Sequence, residues 1–137
     1  MENGRMEIRR LGPGDEAVVR ALAEREPQTR VLADERTIFL AAFEAGEAVG
    51  FVLAHELLRR HGDPAQLFVY EIGVDENWRR RGIGTALWHA LGRLARERGL
   101  TGGFLLTNES NEAAMRLYES LGATRPANDD VLWTFDL

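Results

Sequence analysis

The chain has 137 residues, a formal net charge of -5, no cysteine and three histidines, a length that suits one domain with a real core and is too short for two. The absence of cysteine excludes disulfides, thiolate metal sites and a cysteine nucleophile, and the acidic balance argues against nucleic acid as a partner, since such binders carry a basic face. No apolar run reaches the length of a membrane span and the first five residues lack the apolar core of a signal peptide, so no membrane partner and a cytoplasmic location are expected.

In chain order, residues 1–5 read as a flexible tail and residues 6–137 as a single domain. Met6 to Leu11 is a short strand broken by Gly12-Pro13-Gly14, and Asp15 is placed to cap a helix that carries Val18, Val19, Leu22 and Ala23 inward. From Pro27 to Arg36 the pattern is poor, with one helical turn expected around Val31 to Glu35. Thr37 to Glu44 and Ala48 to Glu56 are apolar runs joined by Ala45-Gly46-Glu47, which predicts a hairpin. Gln66 to Val74 reads as a mostly buried strand. A long helix opens near Gly84 with Ile83, Leu87, Leu91 and Leu94 on one stripe, and Gly99 ends it. Gly103 to Thr107 is a further strand; Asn111 caps a last helix bearing Ala114, Leu117, Tyr118 and Leu121; and Gly122 stops it. Ala123 to Arg125 and Val131 to Asp136, separated by a turn over residues 126–130, are expected to close the sheet. His55, His61 and His89 show no paired spacing, so no metal site is expected and surface roles suit them.

The chemistry concentrates between Gln66 and Leu87. Behind the strand stand Arg79-Arg80-Arg81-Gly82-Ile83-Gly84. Glycines at the first turn of a helix strip side chains from exposed N–H groups at the positive end of the helix dipole, which suits a pyrophosphate, and arginine supplies forked, permanently charged donors. Taken alone, Gly-x-Gly is a weak signal and an Arg triplet is more often a solvated face. A dinucleotide fingerprint fails because its third glycine falls at Leu87, and a P-loop is excluded because the chain has no lysine.

Arg79-x-x-Gly82-x-Gly84 directly after a strand resembles the acetyl-coenzyme A signature of the GNAT acyltransferases, whose pattern is Gln/Arg-x-x-Gly-x-Gly/Ala. The resemblance runs from about Met6 to the end. In Tyr70 to Val74, Asn111 to Gly122 and Val131 to Leu137 the chain is most similar to the small aminoglycoside 3-N-acetyltransferases. It implies an α/β GNAT fold: a mixed sheet of about six to seven strands with a bulged, splayed central strand, flanked by about four helices. It further implies acetyl-coenzyme A as cofactor and an aminoglycoside as the polycationic acceptor, acetylated at its 3-amino group. A different amine acceptor (a polyamine, a small metabolite or a protein amino group) is the main alternative, and a non-catalytic acyl-coenzyme A module is a second.

On this resemblance the coenzyme lies against Ile72, Gly73, Val74, Arg79, Arg80, Arg81, Gly82, Ile83, Gly84, Thr85, Asn111 and Tyr118. Backbone amides from Arg81 to Thr85 would hold the pyrophosphate, and the edge from Ile72 to Val74 would bind the pantetheine arm like an added strand. Gly73 is the expected place for the bulge that frees this edge, with ordinary close packing as the competing reading. Val74 N–H would polarise the thioester carbonyl, Tyr118 would donate to the coenzyme sulfur, and Asn111 would approach the coenzyme or simply cap its helix. Glu71, an acid in an otherwise apolar strand, is the expected general base or ammonium-binding group, with partial burial raising its pKa. Asp34, Glu35, Glu56, Glu109, Asp129 and Asp130 are the other carboxylates expected to meet a cationic acceptor. An apolar stretch around Trp133 and Phe135 would permit a homodimer.

Overall fold

The structure, a computed structural model, describes residues 6–126 and 129–137. The tail expected over residues 1–5 and two residues of the turn expected over 126–130 lie outside the described residues. The chain divides into two compact units after Leu106.

The first unit is a five-stranded sheet in the order β1-β2-β3-β4-β5, made of β1 (Met6–Arg10), β2 (Thr37–Glu44), β3 (Glu47–Leu57), β4 (Gln66–Val74) and β5 (Gly103–Leu105). The first four strands pair antiparallel, and β5 joins β4 in parallel. The parallel pair requires a crossover, supplied by helix α2 (Ile83–Glu97). β2 lies inside the sheet and is buried on both faces, so it reads as a continuous apolar run instead of an alternating one. Ile38, Leu40 and Ala42 meet Val52, Val69 and the Ile83, Leu87, Leu91 stripe of α2. Phe39, Ala41 and Phe43 point the other way, to Leu53, to Val19 of α1 (Glu16–Leu22) and to Leu32 of a 3-10 turn (Thr29–Ala33).

Local chemistry explains the boundaries. The β2–β3 hairpin turns on two residues, Ala45 at φ 51° and Gly46 at φ 83°, the paired left-handed conformations of a type I′ turn. Asp15 stands at the N-cap of α1, yet its carboxylate accepts from the Gly12 N–H at 2.9 Å and from Arg9, not from the helix. The second unit holds α3 (Glu112–Ser120), capped by the Asn111 side chain accepting from Ala114 N–H at 3.1 Å.

The fold class is the one expected, with different counts: five strands and three α-helices among the described residues. Among the described residues the two closing strands are not formed. Ala123 N–H is spent on the Tyr118 carbonyl, closing α3 beside Gly122 at φ 86°, so that backbone serves a helix end instead of a ladder. Val131, Trp133 and Phe135 are 68%, 82% and 80% exposed, so their alternation covers no face, and apolar pattern alone does not make a strand. The turn expected at Val31 to Glu35 forms two residues earlier as the 3-10 helix. Among the described residues no helix is long and apolar enough to cross a membrane.

Candidate active site

The site begins with a register shift. Leu53 opposes Glu71 and Ala54 opposes Val69, so Tyr70 is the extra residue of a β-bulge in β4. The bulge therefore falls at Tyr70, not at Gly73. Gly73 pairs in register with Phe51, and a Cβ there would stand 2.8 Å from Phe51 Cε1, so this glycine answers a close packing contact.

Beyond the bulge β4 loses a neighbour. β5 pairs only with Leu67, Phe68 and Val69. Asp75 N–H donates to Val49 C=O at 2.9 Å, which sets the parity of the ladder. In the pair Gly50–Val74 the flanking residues bond across to β3, so Ile72 and Val74 direct their own N–H and C=O to the opposite edge, where β5 has already ended. This is the splayed edge anticipated from the sequence.

The chain then passes through a 3-10 turn (Glu76–Trp78) into α2. Arg79 Nε donates to the Val74 carbonyl at 3.1 Å, and the Arg81 guanidinium lies 4.6 Å from the centre of the Trp78 ring. Arg80 and Gly82 adopt left-handed backbone at φ 65° and 79°, a conformation that turns successive N–H groups toward one concavity and strains a non-glycine residue. Gly82 is the N-cap and no side chain caps the first turn; the first helical bond is Ala86 N–H to Gly82 C=O at 3.0 Å. The N–H groups of Ile83, Gly84 and Thr85 thus lie ahead of the first helical bond, and a Cβ at Gly82 would meet nothing within 4 Å. Open strand edge, uncapped helix start and three guanidinium groups fit an extended thioester arm ending in a pyrophosphate.

Glu71 shares a face with Leu53, on the α1 side of the sheet, and is exposed, not partly buried as expected. It lies beyond the last residue of β4 that β5 pairs with, Val69, at the edge of the sheet. On the same face His55 opposes Phe68, and its Nδ1 lies 3.2 Å from the Thr37 hydroxyl. A shallow cleft of about 320 Å³ is lined by Gln28, Arg30, Val31, Asp34, Thr37 and His55. A second, of about 280 Å³ along α2 at Trp88, His89 and Gly92, holds none of the expected residues.

The carboxylates divide. Asp34 lines the cleft, and its Oδ1 accepts from Arg36 N–H at 2.9 Å. Glu35 is exposed, and its carbonyl accepts from Arg10 and Arg98. Glu56 is ion-paired to Arg98 at 2.7 Å, toward the end of the β3–β4 ladder remote from Val74. In the second unit Glu109 pairs with Arg125 at 3.2 Å, and Asp129 and Asp130 are exposed. Asn111 is the cap of α3. Tyr118 is half-buried on α3, and burial pushes its phenol above the ordinary 10.0, which keeps it protonated. Sequence reasoning passed over Tyr70 and His55. Neither was among the expected site residues, and the register of β3 and β4 sets both on the face of Glu71.

These features define a fold and cleft suited to acyl transfer from a coenzyme A thioester. Residues 7–123 match the acetyltransferase (GNAT) family, and the chain belongs to it. Family membership brings acetyl-coenzyme A as cofactor. The chain is 40% identical over 100 residues to a mycothiol acetyltransferase of Thermobispora bispora, an alignment covering 72% of this chain and 32% of that protein. It thus spans about a third of that curated relative. Among solved structures it is similar to an aminoglycoside acetyltransferase from an uncultured soil metagenomic sample, with 29% identity, a TM-score of 0.79 and coverage of 100% of this chain and 98% of that one. It is also similar to a ribosomal-protein-alanine N-acetyltransferase of Brucella melitensis, with 25% identity, a TM-score of 0.77 and coverage of 95% and 99%.

Proposed function

We propose that this chain transfers acetyl from acetyl-coenzyme A to an amino group of an aminoglycoside, at the 3-amino position. Bound acetyl-coenzyme A supplies the activated acetyl group. Ile72 and Val74 hold its arm as an added strand, and Val74 N–H faces the carbonyl oxygen on which negative charge develops. Arg79, Arg80 and Arg81 with the amides of Ile83, Gly84 and Thr85 hold its phosphates. Glu71 accepts a proton from the acceptor ammonium, directly or through water, or holds that ammonium by charge. Tyr118 keeps a proton at its hydroxyl for the departing sulfur. The balance is one C–S bond broken and one C–N bond formed; the ammonium nitrogen gives up two protons, one before attack and one on collapse to the amide, sulfur gains one, and one is released to solvent.

The observation that carries the proposal is the pair of outward N–H groups at Ile72 and Val74 leading into an uncapped helix start. The acceptor assignment is supported by the 29% identical aminoglycoside acetyltransferase aligned over the whole chain, by the exposed Glu71 and by a net charge of -5. The 40% identity to a mycothiol acetyltransferase supports a second acceptor, of the mycothiol kind. Thiol-release assays with gentamicin, a mycothiol-type amine, spermidine and a peptide panel decide. Turnover is expected with gentamicin, and its absence alongside turnover of another amine would remove the aminoglycoside assignment.

A further inference from the structure

Tyr70 stands out among the described side chains because the bulge places it beside Glu71 yet leaves it 57% exposed. Its ring centre lies 5.8 Å from His55 at an interplanar angle of 69°, and 5.8 Å from Phe68 at 84°. Phe68 in turn stacks on Phe104 at 4.8 Å and 12°. The Thr37 hydroxyl fixes the imidazole from its Nδ1 side. An aromatic ring held edge to face from two sides is ordered before any ligand arrives, which spares the entropy of ordering it on binding. The Tyr70 hydroxyl has no hydrogen-bond partner among the described residues. Leu53, opposite Glu71, and His55, opposite Phe68, are two positions apart on β3, about 7 Å. Glu71, Tyr70 and the cleft of Asp34, Thr37 and His55 therefore form one continuous path on one face of the first unit.

Resting on the acetyl-transfer reading above, we propose that Tyr70, propped by His55 and Phe68, is a stacking subsite for a ring of the acceptor, and that it selects cyclic amines, amino sugars or aminocyclitols, over open-chain ones. The apolar C–H face of such a ring covers the tyrosine, its hydroxyls meet the free Tyr70 hydroxyl and the His55 edge, and a second ammonium reaches Asp34. The amine to be acetylated then lies at Glu71. An open-chain polyamine satisfies the carboxylates and leaves the aromatic face wet.

The test pairs kinetics with binding that needs no turnover. In Tyr70→Ala the ratio of kcat/KM for sisomicin to that for spermidine should fall about tenfold, the loss of one aromatic contact, while Tyr70→Phe keeps most of the ratio and acetyl-coenzyme A affinity, read by calorimetry, confirms that the variant is folded. Saturation-transfer NMR on the native protein with coenzyme A should show magnetisation passing from aromatic protons to sisomicin ring protons, and losing intensity in Tyr70→Ala. An unchanged ratio, or no transfer to sisomicin while acetyl-coenzyme A binds and spermidine turns over, overturns the subsite and leaves acetyl transfer standing. Failure to bind acetyl-coenzyme A would strike the underlying reading instead.

Discussion

Arg79 reaches back across the β4–α2 turn and donates from Nε to the Val74 carbonyl at 3.1 Å. One side chain thereby ties the last residue of the open strand edge to the start of the arginine run. The carbonyl is occupied, while the N–H of the same residue faces the edge that β5 leaves. The first position of the Arg-x-x-Gly-x-Gly signature thus acts on strand geometry as well as on charge. Arg79→Met should weaken acetyl-coenzyme A binding about tenfold, whereas Arg79→Gln, which keeps an N–H donor, should fall between, as read by calorimetry.

Gly73 touches Phe51 so closely that an added methyl must displace a ring bordering the α1-side core. Gly73→Ala should lower stability by about 1–3 kcal/mol in urea unfolding. At Gly82 an added Cβ would meet nothing, so Gly82→Ala should cost only the strain of φ 79°, about 1 kcal/mol.

Glu56 and Glu71 lie on neighbouring strands with opposite consequences. Glu56 is nine-tenths buried against Arg98, with side-chain exposure of 12%. Glu56→Gln should lower the urea midpoint and leave the KM for the amine unchanged. Glu71→Gln should leave the midpoint and lower kcat/KM about a hundredfold.

The Asp15 carboxyl is held below its ordinary 3.8, first by the Gly12 N–H, against a smaller opposing effect of burial, with Arg9 also lowering it. A depressed folded pKa contributes stability that is present above the unfolded value and lost as pH falls through the folded one. Asp15→Asn should therefore be less stable at neutral pH and show a shallower loss below pH of about 4 in thermal melts.

Tyr118 titrates in the other direction. Burial raises its pKa above 10.0, so its contribution is complete below the unfolded value and is lost as pH rises through the folded one. Tyr118→Phe should flatten the alkaline limb of stability measured by thermal melts, and should lower kcat about a hundredfold if its proton serves the leaving sulfur.

Much of this was legible in the sequence because local chemistry decided it. The hairpin at Ala45-Gly46, the α2 stripe, the Asn111 cap and the Arg79 to Gly84 element all follow from spacing and backbone preference. Nonlocal packing hid the rest. Gly73 looked like the bulge because glycine relaxes strands, yet the bulge follows from how β3 and β4 align across the whole ladder, which puts it at Tyr70. Glu71 looked half-buried in its apolar strand, yet it lies past the end of the β5 pairing and is exposed. Val131 to Asp136 alternates like a strand, but a strand exists only with a partner, and none is made among the described residues.

The central claim is that one open β edge and one helix start grip a coenzyme A thioester, and amide NMR tests it most directly. Titrating acetyl-coenzyme A into the labelled protein should shift the Ile72, Val74, Ile83, Gly84 and Thr85 N–H signals together and saturate at one equivalent. Saturable shifts elsewhere with these five unmoved, or no shifts at all, would contradict it.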